Sequence, residues 1–396
     1  MTDIAVRPQV PQYTLHLVSA KSHRILHSME LPYTETVTTL KVMQLEASEL
    51  THEQKSLVVV GSAQQRGEDM PAKGALTVLE ILDVVPELND DETGVKLHVI
   101  SREEPRGAVT AVENFLGGLI GTAQGQKLMV RGLKEDGSCL PVAFLDAQCQ
   151  MVTLKTLART GLWLGADVWK GLWFGAFTEE PYKLTVLGKS RTQMEVACAE
   201  FLPAADQLYI LVVDADMDLH VLQYDPENPK SLSGTRLLHR STFHLGHFPS
   251  TMTLVPSTLA PFVAQEPLAN GDGEAMSATP SPPHQPTPLF HILTTTQTGS
   301  LGLITPVDET TYRRLGAVEA HLTSILEHAA GLNPREYRAI DSEGFGARGV
   351  VDGSIVQRIG ELGSTRRAEV LSRAGGDAWV LRSDLEIITG GGLGWL

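Results

Sequence analysis

Cysteine, excess basic charge and long apolar runs are all scarce in this sequence. The 396 residues hold three cysteines, Cys139, Cys149 and Cys198. They make neither an even-numbered disulfide framework nor a C-x-x-C metal pair, so a reducing compartment and small buried thiols are expected. Lysine and arginine number 32 against 47 acids, a formal charge of −15. A balance this acidic excludes general attraction to phosphate backbones, because counterion release rewards clustered cations. No stretch approaches the roughly 18 consecutive apolar residues of a membrane helix. The opening MTDIAVRPQVPQ lacks the basic, apolar, small-residue order of a signal peptide, so the expectation is a soluble intracellular protein. What is present is 42% hydrophobic residues, enough for a true core, together with 36 glycines and 22 prolines that point to turn-rich β-structure.

A repeat organises the chain. Apolar strands run into a corner of small or polar residues and then into a second apolar strand: 57–63 with 74–82, 119–133, 162–177, 209–225 and 291–307. Each reads as a β-hairpin whose connection tolerates a tight turn. A strand of small and β-branched residues precedes each hairpin, at 37–42, 108–115, 151–158, 194–202 and 250–255, as suits the crowded innermost strand of a propeller blade. A further strand follows the first four hairpins, at 96–103, 140–146, 182–190 and 235–243. The hairpin starts at 119, 162 and 209 lie 43 and 47 residues apart, close to one blade of about 40–45 residues.

The expected fold class is therefore mainly β: a β-propeller of the seven-bladed type, incomplete here, with about five blades plus an N-terminal strand pair at 13–18 and 23–31. The propeller domain is expected over 13–307. The segment 256–288, rich in Pro, Ser, Ala and Thr, is expected to be a disordered insert, since it cannot bury enough apolar surface to offset ordering. From 308 the period becomes helical. Asp308 is expected to cap a helix whose face carries Tyr312, Leu315, Val318, Leu322, Ile325 and Leu326, ending at Gly331. Cap-helix-glycine patterns recur at 352–363, 364–375 and 377–388, so 308–396 is expected to be a small all-α C-terminal domain.

Motifs that resemble chemistry have plainer readings. Gly188-Lys189-Ser190 imitates the end of a phosphate-binding loop, but Lys183 stands where its first glycine belongs. Asp214, Asp216 and Asp218 match the first ligands of a calcium loop, yet Leu219 replaces its glycine. His239, His244 and His247 lack a fourth ligand for zinc. Arg366, Arg367 and Arg373 are offset by Glu361, Glu369 and Asp377, which favours a solvated face over a DNA-reading helix. Trp163, Trp169 and Trp173 fall within one hairpin, where packing between blades is the expected role. No acid-base pair or nucleophile elbow is recognisable, so neither an enzyme, a cofactor nor a metal is expected.

Several strings carry a resemblance: KGALTVLEILDVVPE at 73–87, EEPRGAVTAV at 103–112, ADVWKGLWF at 166–174, RLLHRSTFHLGHF at 236–248, TYRRLGAVEAHL at 311–322, GLNPREYR at 331–338 and VVDGSIVQRIGELGSTRRAEV at 350–370. In order and spacing they resemble the C-terminal region of the large propeller subunit of the cleavage and polyadenylation specificity factor, in a fungal form. Its relatives are the damaged-DNA-binding adaptor of a cullin ubiquitin ligase and the propeller subunit of the branch-site splicing factor. All share segments like Phe243 to Gly246 and Asp352-Gly353, while VVPE at 84–87 and GLNPREYR favour the cleavage factor.

The resemblance implies a three-propeller scaffold, with this chain beginning within the third. It also implies a nuclear role in recognising the pre-mRNA polyadenylation signal and in assembling the cleavage complex, with other subunits and pre-mRNA as partners. A ubiquitin-ligase adaptor and a splicing scaffold are the alternatives. Which residues touch RNA is not legible. Innermost strands surround a propeller's channel mouth, so Val109, Thr110, Val152, Leu154 and Val196 are the candidate partner-binding residues, an apolar rim suited to a partner helix.

Overall fold

The computed structural model describes residues 11–47, 51–64, 66–85, 94–204, 207–257, 290–340, 348–375 and 377–389. Of the segment 256–288, all but Pro256 and Ser257 lie outside these residues. A strand pair, β1 (Thr14–Val18) and β2 (Ile25–Glu30), opens the fold. The first blade is β3 (Glu35–Glu46), β4 (Gln54–Gln64), β5 (Lys73–Asp83) and β6 (Val95–Glu103). The second is β7 (Val109–Phe115), β8 (Leu119–Gln124), β9 (Lys127–Leu133) and β10 (Cys139–Asp146). The third is β11 (Met151–Thr156), β12 (Leu162–Asp167), β13 (Gly171–Glu179) and β14 (Tyr182–Lys189). The fourth is β15 (Val196–Ala204), β16 (Gln207–Asp214), β17 (Asp218–Gln223) and β18 (Leu238–His244). A three-stranded sheet closes the series with β19 (Pro249–Pro256), β20 (Phe290–Thr296) and β21 (Leu301–Ile304). In every sheet each strand bonds to the next in sequence. The fold is thus mainly β, of propeller type, with five blades and C-terminal helices.

The chain divides into two compact units, one of residues 1–196 with 226–236 and the other of 197–225 with 237–396. In the first, period-two alternation gives each blade two apolar faces. Met43, Leu45, Leu57, Val59, Leu76 and Val78 of the first blade pack on Val112, Ile120 and Leu133 of the second. The opposite face of the second, with Phe115, Leu128 and Val130, packs on Trp163, Phe177 and Leu184 of the third. Arg131, buried between strands, is held by Glu103 at 3.2 Å and by Gln124 at 2.6 Å. Burial lowers its pKa and the Glu103 carboxylate opposes that shift.

The second unit holds a core between sheets and a core among helices. Cys198, Leu211, Val213, Phe243, Met252 and Ile292 fill the first. The other is helical: α1 (Glu309–Ile325), α2 (Pro334–Tyr337), α3 (Gly353–Gln357), α4 (Ser364–Ala374) and α5 (Ala378–Ile388). Leu315, Val318 and Leu322 of α1 pack there with Ile355, Val356, Val370 and Leu381. Asp308 caps α1, its Oδ2 accepting the Thr310 and Thr311 N–H groups at 3.2 and 3.3 Å. The helix stops at Ile325, short of the expected Gly331, and Leu326 is already extended. The nearby carbonyls of Thr323 and Glu327 find partners in the His328 ring and the Arg358 guanidinium, so no further turn is needed to satisfy them. Among the described residues no helix is long and apolar enough to cross a membrane.

Candidate interaction surfaces

The first strand of a blade carries the residues of interest, and a bulge decides which way each faces. Pairing slips between Val37 and Thr39, Val109 and Ala111, Met151 and Thr153, and Pro249 and Thr251. One residue is therefore extra in each strand: Thr38, Thr110, Val152 and Ser250. Thr38 Oγ1 reaches both Gly61 O, within its own blade, and Val109 O of the next. Thr110 Oγ1 does the same with Ala123 O and Met151 O. A single hydroxyl proton is shared between two blades at each point. In the third blade the extra residue is Val152, whose side chain has no such bond to make and is 37% exposed.

Of the five candidate residues, Val109, Leu154 and Val196 are buried and Thr110 is half-buried, leaving Val152 exposed. Leu154 belongs to the apolar cluster that contains Met151 and Trp163.

The other motifs take structural places. Lys189 ends β14, its Nζ lying 3.6 Å from the centre of the Trp173 ring. Asp214 closes the β16–β17 turn, its Oδ1 accepting the Asp216 and Asp218 N–H groups at 3.1 and 2.9 Å. His220 Nε2 lies 2.8 Å from Asp214 Oδ2, and His244 Nδ1 lies 2.7 Å from Asp218 Oδ1. His239 Nε2 lies 2.9 Å from Thr242 Oγ1 and 3.4 Å from His220 Nδ1. Trp163 and Trp173 are buried whereas Trp169 is exposed. All three cysteines are buried and none is in a disulfide, and burial raises the pKa of Cys139 and Cys149.

Three strings of the sequence meet at Arg338. Its Nη1 donates to the carbonyls of His244 and Leu245 at 2.7 and 2.5 Å, and its Nε donates to Asp352 Oδ2 at 3.2 Å. The guanidinium lies 5.2 and 5.1 Å from the Phe243 and Tyr337 ring centres. Asp352 also caps α3 by accepting the Ser354 N–H at 3.0 Å. Gly349 N–H donates to the Tyr312 hydroxyl at 3.0 Å. FHLG at 243–246, the last arginine of GLNPREYR and Asp352-Gly353 thus form one junction holding helices to a blade. Glu319 lies by this junction. Burial, and then the Asp352 carboxylate, raise its pKa to about 7.

One apolar face is half covered. Leu15 and Leu31 pack on Val60, Leu79 and Leu97 of the first blade, with Leu17, Met29 and Val58 alongside. Leu40 and Val42 of β3 pair directly with Val60 and Val58, so they share that face. They nevertheless remain 50% and 66% exposed.

The family model described as CPSF A subunit region matches residues 12–361. A protein named "Protein cft1" from Aspergillus fumigatus is 47% identical over 99% of this chain and 28% of its own length. "Protein CFT1" from Coccidioides immitis is 46% identical over 98% of the chain and 27% of its own length. "Protein cft1" from Schizosaccharomyces pombe is 31% identical over 96% of the chain and 25% of its own length. The chain therefore spans about a quarter of the length of the curated relatives it matches.

Proposed function

Because this chain belongs to the CPSF A subunit family, we propose that it is a non-catalytic scaffold piece of the nuclear machinery that cleaves and polyadenylates pre-mRNA 3′ ends. The observation that carries this reading is the extent of the likeness, 47% identity over 99% of the chain. Its partners are the other subunits of that machinery and, through the assembled complex, the polyadenylation signal of the pre-mRNA. Partner capture falls to the first-strand line. Val152 supplies exposed apolar surface and Thr110 a half-buried rim, while buried Val109, Leu154 and Val196 fix the backbone that presents them.

The domain reading stays with this role: a partial propeller over 13–307 and a helical domain over 308–396. The uncovered Leu40 and Val42 favour the view that further strands complete the blade of β1 and β2. Affinity purification of the tagged chain from nuclear extract tests the assignment. Cleavage and polyadenylation subunits are the expected catch. Recovery of cullin subunits alone would replace the scaffold with a ubiquitin-ligase adaptor.

A further inference from the structure

The net charge of −15 conceals a local excess of cations around one exposed tryptophan. Trp169 occupies the turn between β12 and β13 and is 66% exposed. That turn is fastened to the connection after β14. Ser190 N–H donates to Leu172 O at 2.8 Å, Leu172 N–H donates to Ser190 Oγ at 3.2 Å, and Ser190 Oγ donates to Thr192 O at 3.1 Å. The same connection touches a third segment, where Lys189 N–H donates to Thr235 O at 3.1 Å and Lys189 bridges Arg236. Lys170, Lys189, Arg191 and Arg236, all exposed, are thereby brought to the neighbourhood of Trp169.

The lysines are positioned cations. Lys170 Nζ donates to Gln148 O at 3.0 Å, and Lys189 Nζ sits on the Trp173 ring. Among the described residues, neither Arg191 nor Arg236 pairs with a carboxylate. The acid nearest Trp169 in sequence, Asp167, is buried and accepts the Lys170 N–H at 3.1 Å, while Glu195, four residues after Arg191, is exposed and in no ion pair among the described residues. An exposed indole with guanidinium and ammonium groups on the segments fastened beside its turn matches bases linked by phosphates. Every base offers a π-face, and planar guanidinium groups grip phosphate oxygens. An acidic peptide would use the cations but leave the indole idle.

We propose that Trp169, Lys170, Lys189, Arg191 and Arg236 form a binding site for single-stranded nucleic acid. The inference deepens the proposed role at pre-mRNA by naming residues for a contact which that role leaves open. The test is fluorescence anisotropy of the full chain with a short fluorescein-labelled oligouridylate RNA, titrated at salt from about 50 to about 200 mM. Trp169→Ala is expected to weaken binding by roughly fivefold to a hundredfold. Arg191→Gln with Arg236→Gln is expected to flatten the salt slope by about 1.4, two phosphates' worth for a single strand. Trp169→Leu, which keeps apolar bulk without the π-face, is expected to match Trp169→Ala, and all variants are expected to melt as the parent does.

Undetectable RNA binding at the lowest salt would overturn the site. So would unchanged affinity in Trp169→Ala, or displacement of the RNA by polyglutamate as readily as by unlabelled RNA. Partner capture from nuclear extract reads the scaffold role separately: variants that lose RNA yet retain the cleavage subunits support the site and leave that role standing.

Discussion

Leu154 and Val152 stand two residues apart on one strand and meet opposite surroundings. Leu154 is 2% exposed beside Met151 and Trp163, whereas Val152 is 37% exposed. Leu154→Gln is therefore predicted to cost roughly 2–4 kcal/mol, a lost core side chain plus a buried amide without a partner. Val152→Glu is predicted to shift stability by less than about 0.5 kcal/mol while weakening capture of the cleavage subunits. Chemical denaturation of both variants beside the extract pull-down decides the matter, and an unstable Val152→Glu chain would place that residue in the core. Gly175 gives a second residue-scale prediction. A methyl group there would overlap the Trp163 ring and the Thr185 carbonyl, so Gly175→Ala is predicted to lose about 1–3 kcal/mol; a melting temperature equal to the parent's would refute it. The sequence pattern places Val109, Val152 and Leu154 on the right kind of strand but cannot rank their exposure. A bulge inserts one residue, and a slip of one residue sends side chains to the other face.

At the scale of elements the repeat was legible and its fastenings were not. Period-two alternation and small-residue corners located the hairpins, because a blade's hydrogen bonds join neighbours in sequence. The Arg338 junction joins residues 94 apart, and no periodicity reports such a contact. The strings FHLG, GLNPREYR and DG were all visible, yet only folding shows that one guanidinium ties them together. Removing it in Arg338→Met would leave Asp352 buried beside Glu319 without its cation, a predicted loss of roughly 2–4 kcal/mol. Limited proteolysis should then release the helical segment first, and cleavage elsewhere at equal rate would refute the junction's importance. Glu319 adds a pH dependence. Its pKa in the folded chain is about 7, above the ordinary 4.5, so the folded state holds the proton more tightly than the unfolded state. The resulting stability is complete below about pH 4.5 and is lost as pH rises through 7. Denaturation midpoints are predicted to fall across that window and to fall less in Glu319→Gln; a parallel pH profile in the variant would reject the assignment.

For the molecule as a whole, the telling feature of the first unit is an apolar face covered only in part. β1 and β2 shield Val58, Val60, Leu79 and Leu97, while Leu40 and Val42, cross-strand neighbours of Val60 and Val58, stay in solvent. Unpaired strand edges beside exposed apolar side chains are templates for association. Among the described residues β1 bonds on one side only, to β2, and β21 likewise only to β20. The prediction is that the isolated chain self-associates reversibly as its concentration rises through the micromolar range. Leu40→Ser with Val42→Ser is predicted to reduce that association at a cost of no more than about 1–2 kcal/mol in stability, because both side chains are half or more exposed. Sedimentation velocity reads the first effect and denaturant unfolding the second. A parent chain that sediments as one monomeric species throughout the range would mean that the face is not adhesive. A double variant destabilised by more than about 3 kcal/mol would mean that Leu40 and Val42 already have a cover. Either result would remove the reason for expecting added strands at this blade, whereas association abolished by two serines would locate where those strands dock.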